Sequence, residues 1–577
     1  MINLIYSFGI EITTVFLSLF SIIFACIFDN KNSCSSSKSN LLCKNSKVKV
    51  IFCLFVFVSL IILFGLYVLT SDISYSNFNF FYKTNLTKTV SLYLIILFSV
   101  FSVYSIYNKI ISFTYYGLTL LSLCGSLLLI SANNFLSVYM SIELQSIAIF
   151  IIIAQNKTTK SKYGLEGAIK YFVISSLFSC FFIYGCSLVY SNFGTLDFQS
   201  LYSKFEKNKN ISSQQSKQYQ NGNVDVVATN DSKLFVWQNT NNSEDAFSSF
   251  NMELTKNSDS VKLINDNNTV YQDGFFNKLI QNEYSKSAIV GVLLIIFAFV
   301  GKMSIAPFHF WSPDLYQKTT KSSLLFILSI PKIAILLSFF TILTLFKSVL
   351  ISSDLSIVFK IYSLLILLSL LVGSFGGLKQ TNIKRLLAYS GIINGAFILI
   401  PSLGLNTSDL SISLFYLIVY ILNTILVLLS LSLLKNKYQQ KFKTFQDIAL
   451  IYKKNPVIAF YILCSVLSMI GIPPFAGFFA KFFVLQYIFN INLLLFGIAL
   501  ISSVVASFYY LSIIKSIYFP SKDVLENIKD LIAINNSCKI NRILSFIIHF
   551  ICMSVVILNI FVAIKPSLFL LSITNLF

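Results

Sequence analysis

The chain is dominated by apolar runs long enough to cross a bilayer, separated by short polar segments. Runs of about 18 or more mostly apolar residues are typical of membrane-spanning helices. We count fourteen candidate spans, and the sequence therefore predicts an all-α integral membrane protein. The spans cover residues 4–28, 49–70, 90–107, 111–131, 135–154, 168–191, 287–310, 322–347, 356–377, 384–403, 408–434, 456–487, 491–516 and 544–573.

One long segment, residues 191–286, does not follow this pattern. It is rich in Asn, Ser, Lys and Asp, as in SSQQSKQYQNGN and NDNNTVYQDG, and it contains few aliphatic residues. Such a composition buries too little apolar surface to offset the loss of chain entropy. We predict a largely disordered or loosely ordered insertion, and a small folded lobe is the alternative.

Spans four to eight and nine to thirteen form two groups of five, which indicates an internal repeat. An odd number of helices per repeat places the two copies in inverted orientation. The fourth span of each group contains proline: Pro307 in GKMSIAPFHFW, and Pro473 and Pro474 in GIPPFAGFFAKFF. Proline interrupts helical hydrogen bonding, and membranes tolerate interrupted helices where protein or water satisfies the freed groups. Paired breaks at matching positions are typical of a transport site.

The predicted organisation has six parts. They are N-terminal transmembrane helices (1–110), the first part of repeat one (111–190), the polar insertion (191–286), the remainder of repeat one (287–347), repeat two (356–516), and a loop with a C-terminal transmembrane helix (517–577).

Composition agrees with a membrane protein, since 56% of residues are hydrophobic and only 11% are charged, against about 25% charged in soluble proteins. The net charge of +20 comes from lysines between the apolar runs, so we interpret it as topology-setting charge and not as a nucleic-acid footprint. Lysine concentrates after odd-numbered spans, as in 435–454. By the positive-inside rule these loops face the matrix or cytoplasm. Both termini and the 191–286 insertion would then face the opposite side.

Cofactor chemistry has little support in this chain. The ten cysteines include no CxxC pair, and only two histidines are present, which argues against haem, zinc or iron–sulfur sites. A nucleotide-binding glycine-rich loop after a strand is also missing. We therefore expect no cofactor in this chain and no oxidation of NADH by the chain alone.

Four ionisable residues lie well inside predicted spans: Glu143, Lys302, Lys332 and Lys481. A charge at mid-bilayer costs about 2.5–3.5 kcal/mol on insertion scales, so such residues are typically paired, hydrated or functional. Lys481 has the alternative of extending to the interface, whereas Lys332 has apolar sequence on both sides. Burial disfavours the charged ammonium form of lysine, and a nearby carboxylate favours it again. Several lysines together with one glutamate therefore suit proton transfer.

Three further residues are auxiliary candidates. Glu166 and Lys170 in GLEGAIKYF are spaced i,i+4 and would share a helix face, either as part of the pathway or as a surface ion pair at a span entrance. His309 follows Pro307 within two residues, and it is either a proton relay or a hydrogen-bond donor in the core.

Several segments resemble the antiporter-like membrane subunits of respiratory complex I, in particular its subunit 2. They are NNFLSVYMSIELQSIAIFIIIA, EGAIKYFVISSLFSCFFIYGCSLVY, FVGKMSIAPFHFWSPDLY, GGLKQTNIKRLLAYSGI and KKNPVIAFYILCSVLSMIGIPPFAGFFAKFFVL. The resemblance covers roughly 115–190 and 287–520. It implies fourteen spans in inverted repeats, and a chain of protonatable residues at the membrane midplane.

At matching positions, the resemblance implies that Glu143 is the glutamate of the fifth span and Lys302 its lysine partner. Lys332 would be the connecting lysine and Lys481 the terminal one, and Glu166 and Lys170 match the pair entering the sixth span. The related subunit 4 type has a glutamate where Lys481 stands. The subunit 5 type adds a long amphipathic helix after its spans, which this sequence does not contain.

The resemblance also implies a setting. The partners would be other membrane-arm subunits and lipid, with FMN, iron–sulfur clusters and quinone in other subunits. Abundant Phe, Ile, Asn, Lys and Tyr suggests an AT-rich genome, so we predict the mitochondrial inner membrane, with the insertion facing the intermembrane space. Stand-alone sodium/proton antiporters are the main rival, and a structural membrane scaffold is a third hypothesis. Two departures are QKTTKSS, where a Gly-x-Pro-Thr turn is usual, and Asn394, where histidine is frequent.

Overall fold

The computed structural model describes fifteen stretches of the chain. They are residues 9–30, 53–65, 67, 81–82, 84–108, 112–155, 162–204, 224–228, 234–238, 274–346, 356–434, 444, 448, 451–519 and 542–575.

Helices account for nearly all of the described residues. The first half contains α1 (Gly9–Asn30), α2 (Cys53–Gly65), α3 (Asn85–Tyr107), α4 (Phe113–Ser131), α5 (Phe135–Ala154), α6 (Lys162–Phe193), α7 (Gly274–Lys302), α8 (Trp311–Lys318) and α9 (Lys321–Leu345). The second half contains α10 (Ser356–Leu378), α11 (Ile383–Leu399), α12 (Thr407–Leu433), α13 (Pro456–Ile470), α14 (Ala476–Phe489), α15 (Leu493–Tyr518), α16 (Arg542–Ile564) and α17 (Pro566–Thr574).

Each of the fourteen predicted spans overlaps one helix or two consecutive helices. Within the described stretches, ten helices are long and apolar enough to cross a membrane, and four shorter apolar helices accompany them. The predicted all-α membrane fold is therefore confirmed.

The 191–286 insertion differs from its predicted boundaries. Helix α7 begins at Gly274, before the predicted 287, because residues such as Lys, Leu, Gln and Glu extend a helix beyond its apolar part. Two strands, β1 (Val224–Ala228) and β2 (Leu234–Gln238), form an antiparallel ladder in the insertion. The disorder was predicted for the whole insertion, of which residues 205–223, 229–233 and 239–273 lie outside the described stretches.

The two groups of five spans pack in the same order. In the first group α4 contacts α5 and α9, and α6 packs along α7. In the second, α10 contacts α11 and α15, and α12 packs along α13. The halves meet where α8 lies against α11 and α9 lies against α12.

Both proline-containing spans are broken as predicted. Residues 303–310 separate α7 from α8, with a cis bond between Ala306 and Pro307. The Ala306 N–H donates to Ser369 Oγ of α10 at 3.2 Å, so a side chain of the other repeat satisfies part of the opened backbone. Residues 471–475 separate α13 from α14, with a cis Pro473–Pro474 bond.

Candidate functional site

The first intramembrane cluster joins Glu143 of α5 to Lys302, the last residue of α7. Lys302 Nζ lies 3.9 Å from Glu143 Oε1, which is too far for a direct hydrogen bond. The Ser179 hydroxyl of α6 lies between them: it accepts from Lys302 Nζ at 3.0 Å and donates to Glu143 Oε1. Lys302 also donates to Ser175 Oγ at 3.2 Å. The cluster is thus an ion pair connected through one hydroxyl.

The side chains of this ion pair are largely buried. The Lys302 side chain is 7% exposed and that of Glu143 is 25% exposed. A cavity beside Lys302, lined by Gln145, Ser146, Ser175 and Tyr171 among others, has room for a single water molecule. Gln145 is 2% exposed and its Nε2 has no hydrogen-bond partner among the described residues. Polar groups therefore face the lysine from two helices.

Lys332 follows Pro331 inside α9 and has a different environment. Its ammonium lies over the Tyr420 ring of α12, 5.6 Å from the centroid, within the range of a cation–π contact. Within the described part of the chain, no carboxylate forms an ion pair with it. The ammonium of Lys332 therefore contacts an aromatic ring, whereas that of Lys302 lies near a carboxylate.

Lys481 of α14 lies against the second helix break. It is 9% exposed and donates to the carbonyl oxygen of Ile470, the last residue of α13, at 2.8 Å. The free carbonyls at a helix C-terminus attract cations. Its ammonium also lies 5.9 Å from the Phe397 ring centroid. This buried position excludes the alternative in which Lys481 extends to the interface.

Close backbone approach at this break depends on glycine. A Cβ atom on Gly477 would overlap the carbonyl oxygen of Ser468 in α13. The Gly477 N–H donates to Ser468 Oγ at 3.2 Å. Gly471 adopts a left-handed conformation with φ of 90° and ends α13. These two residues let α14 start beside the end of α13 and place Lys481 there.

Within the described stretches, the auxiliary residues form no hydrogen bond or ion pair with the four intramembrane charged residues. Glu166 and Lys170 form the predicted i,i+4 ion pair at 3.0 Å, but α8 extends it: Asp314 lies 3.0 Å from Lys170, and Lys318 lies 2.5 Å from Glu166. His309 is in the first break and its Nδ1 has no hydrogen-bond partner among the described residues. In the part of the chain that the structure describes, no hydrogen bond or ion pair joins His309 to the lysines, so its role stays a prediction.

Sequence reasoning missed the hydroxyls and the aromatic rings around the lysines. Ser175 and Ser179 are spaced i,i+4 in the apolar stretch FVISSLFSCFF, so a polar stripe on one face of α6 was a usable signal. Asp314 and Lys318 of α8 were missed because the contact crosses 144 or more positions of sequence.

Comparison with known proteins shows the family to which the chain belongs. The family described as NADH:quinone oxidoreductase/Mrp antiporter, TM, matches residues 132–220 and 260–507. The chain belongs to this family. The matched ranges of this antiporter family contain Glu143, Lys302, Lys332 and Lys481. The resemblance seen in the sequence is thereby confirmed at the level of the family.

Individual relatives agree. The chain is 30% identical over 441 residues to NADH-quinone oxidoreductase subunit N of Wolbachia sp. subsp. Brugia malayi, covering 74% of this chain and 75% of the relative. It is 28% identical to subunit N of Rickettsia felis, covering 89% and 92%. These relatives carry the name subunit N, whereas the sequence motifs pointed to subunit 2 of the same family.

Solved structures share the fold. A chain of respiratory complex I from Thermus thermophilus, solved with bound aureothin, superposes with a TM-score of 0.63 at 18% identity, covering 96% of this chain and 98% of that one. A chain of the Mrp complex from a Dietzia species superposes with a TM-score of 0.65 at 14% identity, covering 98% and 97%. Both similarities concern the fold.

Proposed function

We propose that the chain is a proton-translocating, antiporter-like subunit in the membrane arm of an NADH:quinone oxidoreductase. The observation that carries the proposal is the buried group of Glu143, Ser179 and Lys302, an acid and a base connected by a hydroxyl beside a helix break. Family membership supports the proposal, because the named relatives are subunits of such an oxidoreductase.

The mechanism follows from the cost of burying charge. While the carboxylate of Glu143 is near, the ammonium of Lys302 is compensated by its attraction. When the two separate, a buried ammonium without a partner is costly and releases its proton to a neighbouring acceptor. Lys332 and Lys481 are the next bases in this scheme. The pathway through all three lysines would run near the middle of the membrane.

The energy source would lie outside this chain. Redox chemistry at FMN, iron–sulfur clusters and quinone in other subunits would drive the change in the Glu143–Lys302 separation. Other membrane-arm subunits would be the partners. We infer the mitochondrial inner membrane from the AT-rich residue usage, with the termini and insertion in the intermembrane space. The relatives named above are bacterial, so localisation by cell fractionation is a direct test.

The test of function is proton translocation per NADH in assembled complex carrying variants of this chain. Glu143→Gln removes the charge, and Lys302→Ala removes the base, so both should reduce pumping strongly while assembly persists. Lys302→Arg should not restore it, because arginine stays protonated. The control is Lys360→Ala, which alters an exposed lysine of α10. Unchanged pumping in both Glu143→Gln and Lys302→Ala would contradict the proposed pathway.

A stand-alone sodium/proton antiporter is the second candidate, because the family and the Dietzia structure include Mrp antiporters. Purification separates the two. A complex I subunit should copurify with flavin and iron–sulfur subunits in a stable ratio. Purification without them, together with sodium-dependent proton exchange in vesicles, would favour the antiporter.

A further inference from the structure

A buried polar network lies between α11, α12 and α15, in the half of the protein that contains no intramembrane glutamate. Its centre is Asn394. The hydroxyl of Tyr416 donates to Asn394 Oδ1 at 2.8 Å, and Asn394 Nδ2 donates to Tyr510 Oη at 3.2 Å. Tyr510 donates to Ser390 Oγ at 2.7 Å. All four side chains are buried, so the network is a costly feature of an otherwise apolar interior.

One end of this network lies beside Lys332. The Lys332 ammonium and the Tyr420 hydroxyl both approach Gly391 of α11, where a Cβ atom would lie 3.4 Å from the first and 3.2 Å from the second. Tyr420 is four residues after Tyr416 on α12, so the two rings lie on one helix face. The buried Tyr420 hydroxyl has no hydrogen-bond partner within the described stretches. A buried polar group of this kind calls for a partner, and a water molecule is a suitable one.

The other end lies beside Lys481. The Phe397 ring stacks on Tyr416 with centroids 5.9 Å apart and an interplanar angle of 4°. Lys481 Nζ lies over the same Phe397 ring at 5.9 Å. One aromatic ring therefore separates the polar network from the second lysine.

We propose that Tyr416, Tyr510 and Ser390, positioned by Asn394, form the proton connection between Lys332 and Lys481, and that the Phe397 ring closes it at the Lys481 end. This proposal rests on the proposed function, because it requires that protons move between the two lysines. The network adjoins Lys332 at Gly391 and Tyr420, and it adjoins Lys481 through the Phe397 ring.

The step is a transfer of protons alone. An N–H bond of the Lys332 ammonium breaks, and an N–H bond on the neutral amine of Lys481 forms. Between them each hydroxyl oxygen accepts one proton and releases another. A bridging water does the same between Tyr416 and Tyr510, which are joined only through the Asn394 amide, so every hydroxyl ends with one hydrogen. No electrons are transferred. Movement of the Phe397 ring would admit the water that completes the line to Lys481.

Asn394 acts through its neighbours. Its amide accepts from one tyrosine and donates to the other, so it fixes the directions of both hydroxyl groups. Histidine also has one acceptor and one donor in its neutral form, so Asn394→His should preserve the connection. Leucine has a similar volume but no polar atom, so Asn394→Leu should interrupt it.

The experiment measures proton pumping and NADH:quinone turnover in assembled complex reconstituted in liposomes. We expect Tyr510→Phe, Tyr416→Phe and Asn394→Leu each to slow pumping roughly two- to tenfold, the range expected for the loss of one or two hydrogen bonds in a transfer step. NADH oxidation by a soluble artificial acceptor should not change. Asn394→His should retain most of the pumping.

Two further variants control for packing and for the pathway. Tyr362→Phe removes an equally buried tyrosine hydroxyl of α10, which is hydrogen-bonded to Ser402 at 2.7 Å, and this variant should pump normally. Lys481→Ala should abolish pumping. If Lys481→Ala abolishes pumping while the three network variants pump normally, the network proposal is overturned and the proposed function remains. Normal pumping in Lys481→Ala would instead contradict the proposed pathway itself.

Discussion

Ser179 provides the sharpest test of how the first pair exchanges its proton. The direct separation between Lys302 Nζ and Glu143 Oε1 is 3.9 Å, whereas Ser179 Oγ lies 3.0 Å from the lysine and bonds the glutamate. Ser179→Ala removes the bridging hydroxyl and keeps both charges. The proton would then have to cross the direct gap or use a water molecule.

The size of the effect follows from the bonds that are lost. A hydrogen bond to a charged group contributes about 1.5–3 kcal/mol, and about 1.4 kcal/mol is a factor of ten in rate. Loss of one such bond in the transfer step predicts roughly 10- to 100-fold slower exchange. Ser175 still holds Lys302 at 3.2 Å, so the lysine should keep its position.

The assay is the rate of pH change inside liposomes during NADH oxidation, measured with a trapped pH dye. Ser179→Thr keeps a hydroxyl and should retain activity. Ser176→Ala is the matched control, because Ser176 is exposed on the same helix and donates to the carbonyl of Val173 at 2.9 Å. Normal pumping in Ser179→Ala, with blocked pumping in Lys302→Ala, would refute the role of the hydroxyl.

Two further predictions concern assembly and topology. Gly477→Ala should sharply reduce the amount of assembled protein, because the new Cβ overlaps the Ser468 carbonyl. The control Gly497→Ala has no atom within 4 Å of its Cβ and should assemble normally. Quantitative blotting of membranes measures both. Protease added to intact mitoplasts should cut the 191–286 insertion and spare the 435–454 loop. The reverse pattern would invert the predicted orientation.

The sequence was sufficient to predict the helices, because a helix that crosses a bilayer needs a long apolar run. The proline motifs likewise predicted both breaks, since proline cannot donate a backbone hydrogen bond. Helix ends were less predictable. Helix α7 starts at Gly274 in a polar stretch, where hydropathy does not indicate the position of the helix start. The ladder of β1 and β2 was also missed, as its alternation is short within a polar segment.

For the site, the charged residues were predictable individually and their contacts were not. Glu143 and Lys302 stand out because a charge in an apolar run is costly. Ser179 looks ordinary, since serines in apolar helices commonly bond their own backbone. Tyr420 and Phe397 likewise resemble core residues in sequence, and their positions against lysines depend on helix packing across the two repeats.

The ion pairs around α8 have a consequence for the response to ionic strength. On one side, α8 is attached to α6 by pairs that include Lys170, whose side chain is 43% exposed, and salt screens such pairs. On the other side, Lys384 of α11 donates to the carbonyl of Thr319, the C-cap of α8, and Lys321 at the start of α9 donates to the Leu431 carbonyl of α12 at 2.6 Å. High salt should therefore loosen α8 from α6 while the C-terminal end of α8 stays attached to α11 of the second repeat.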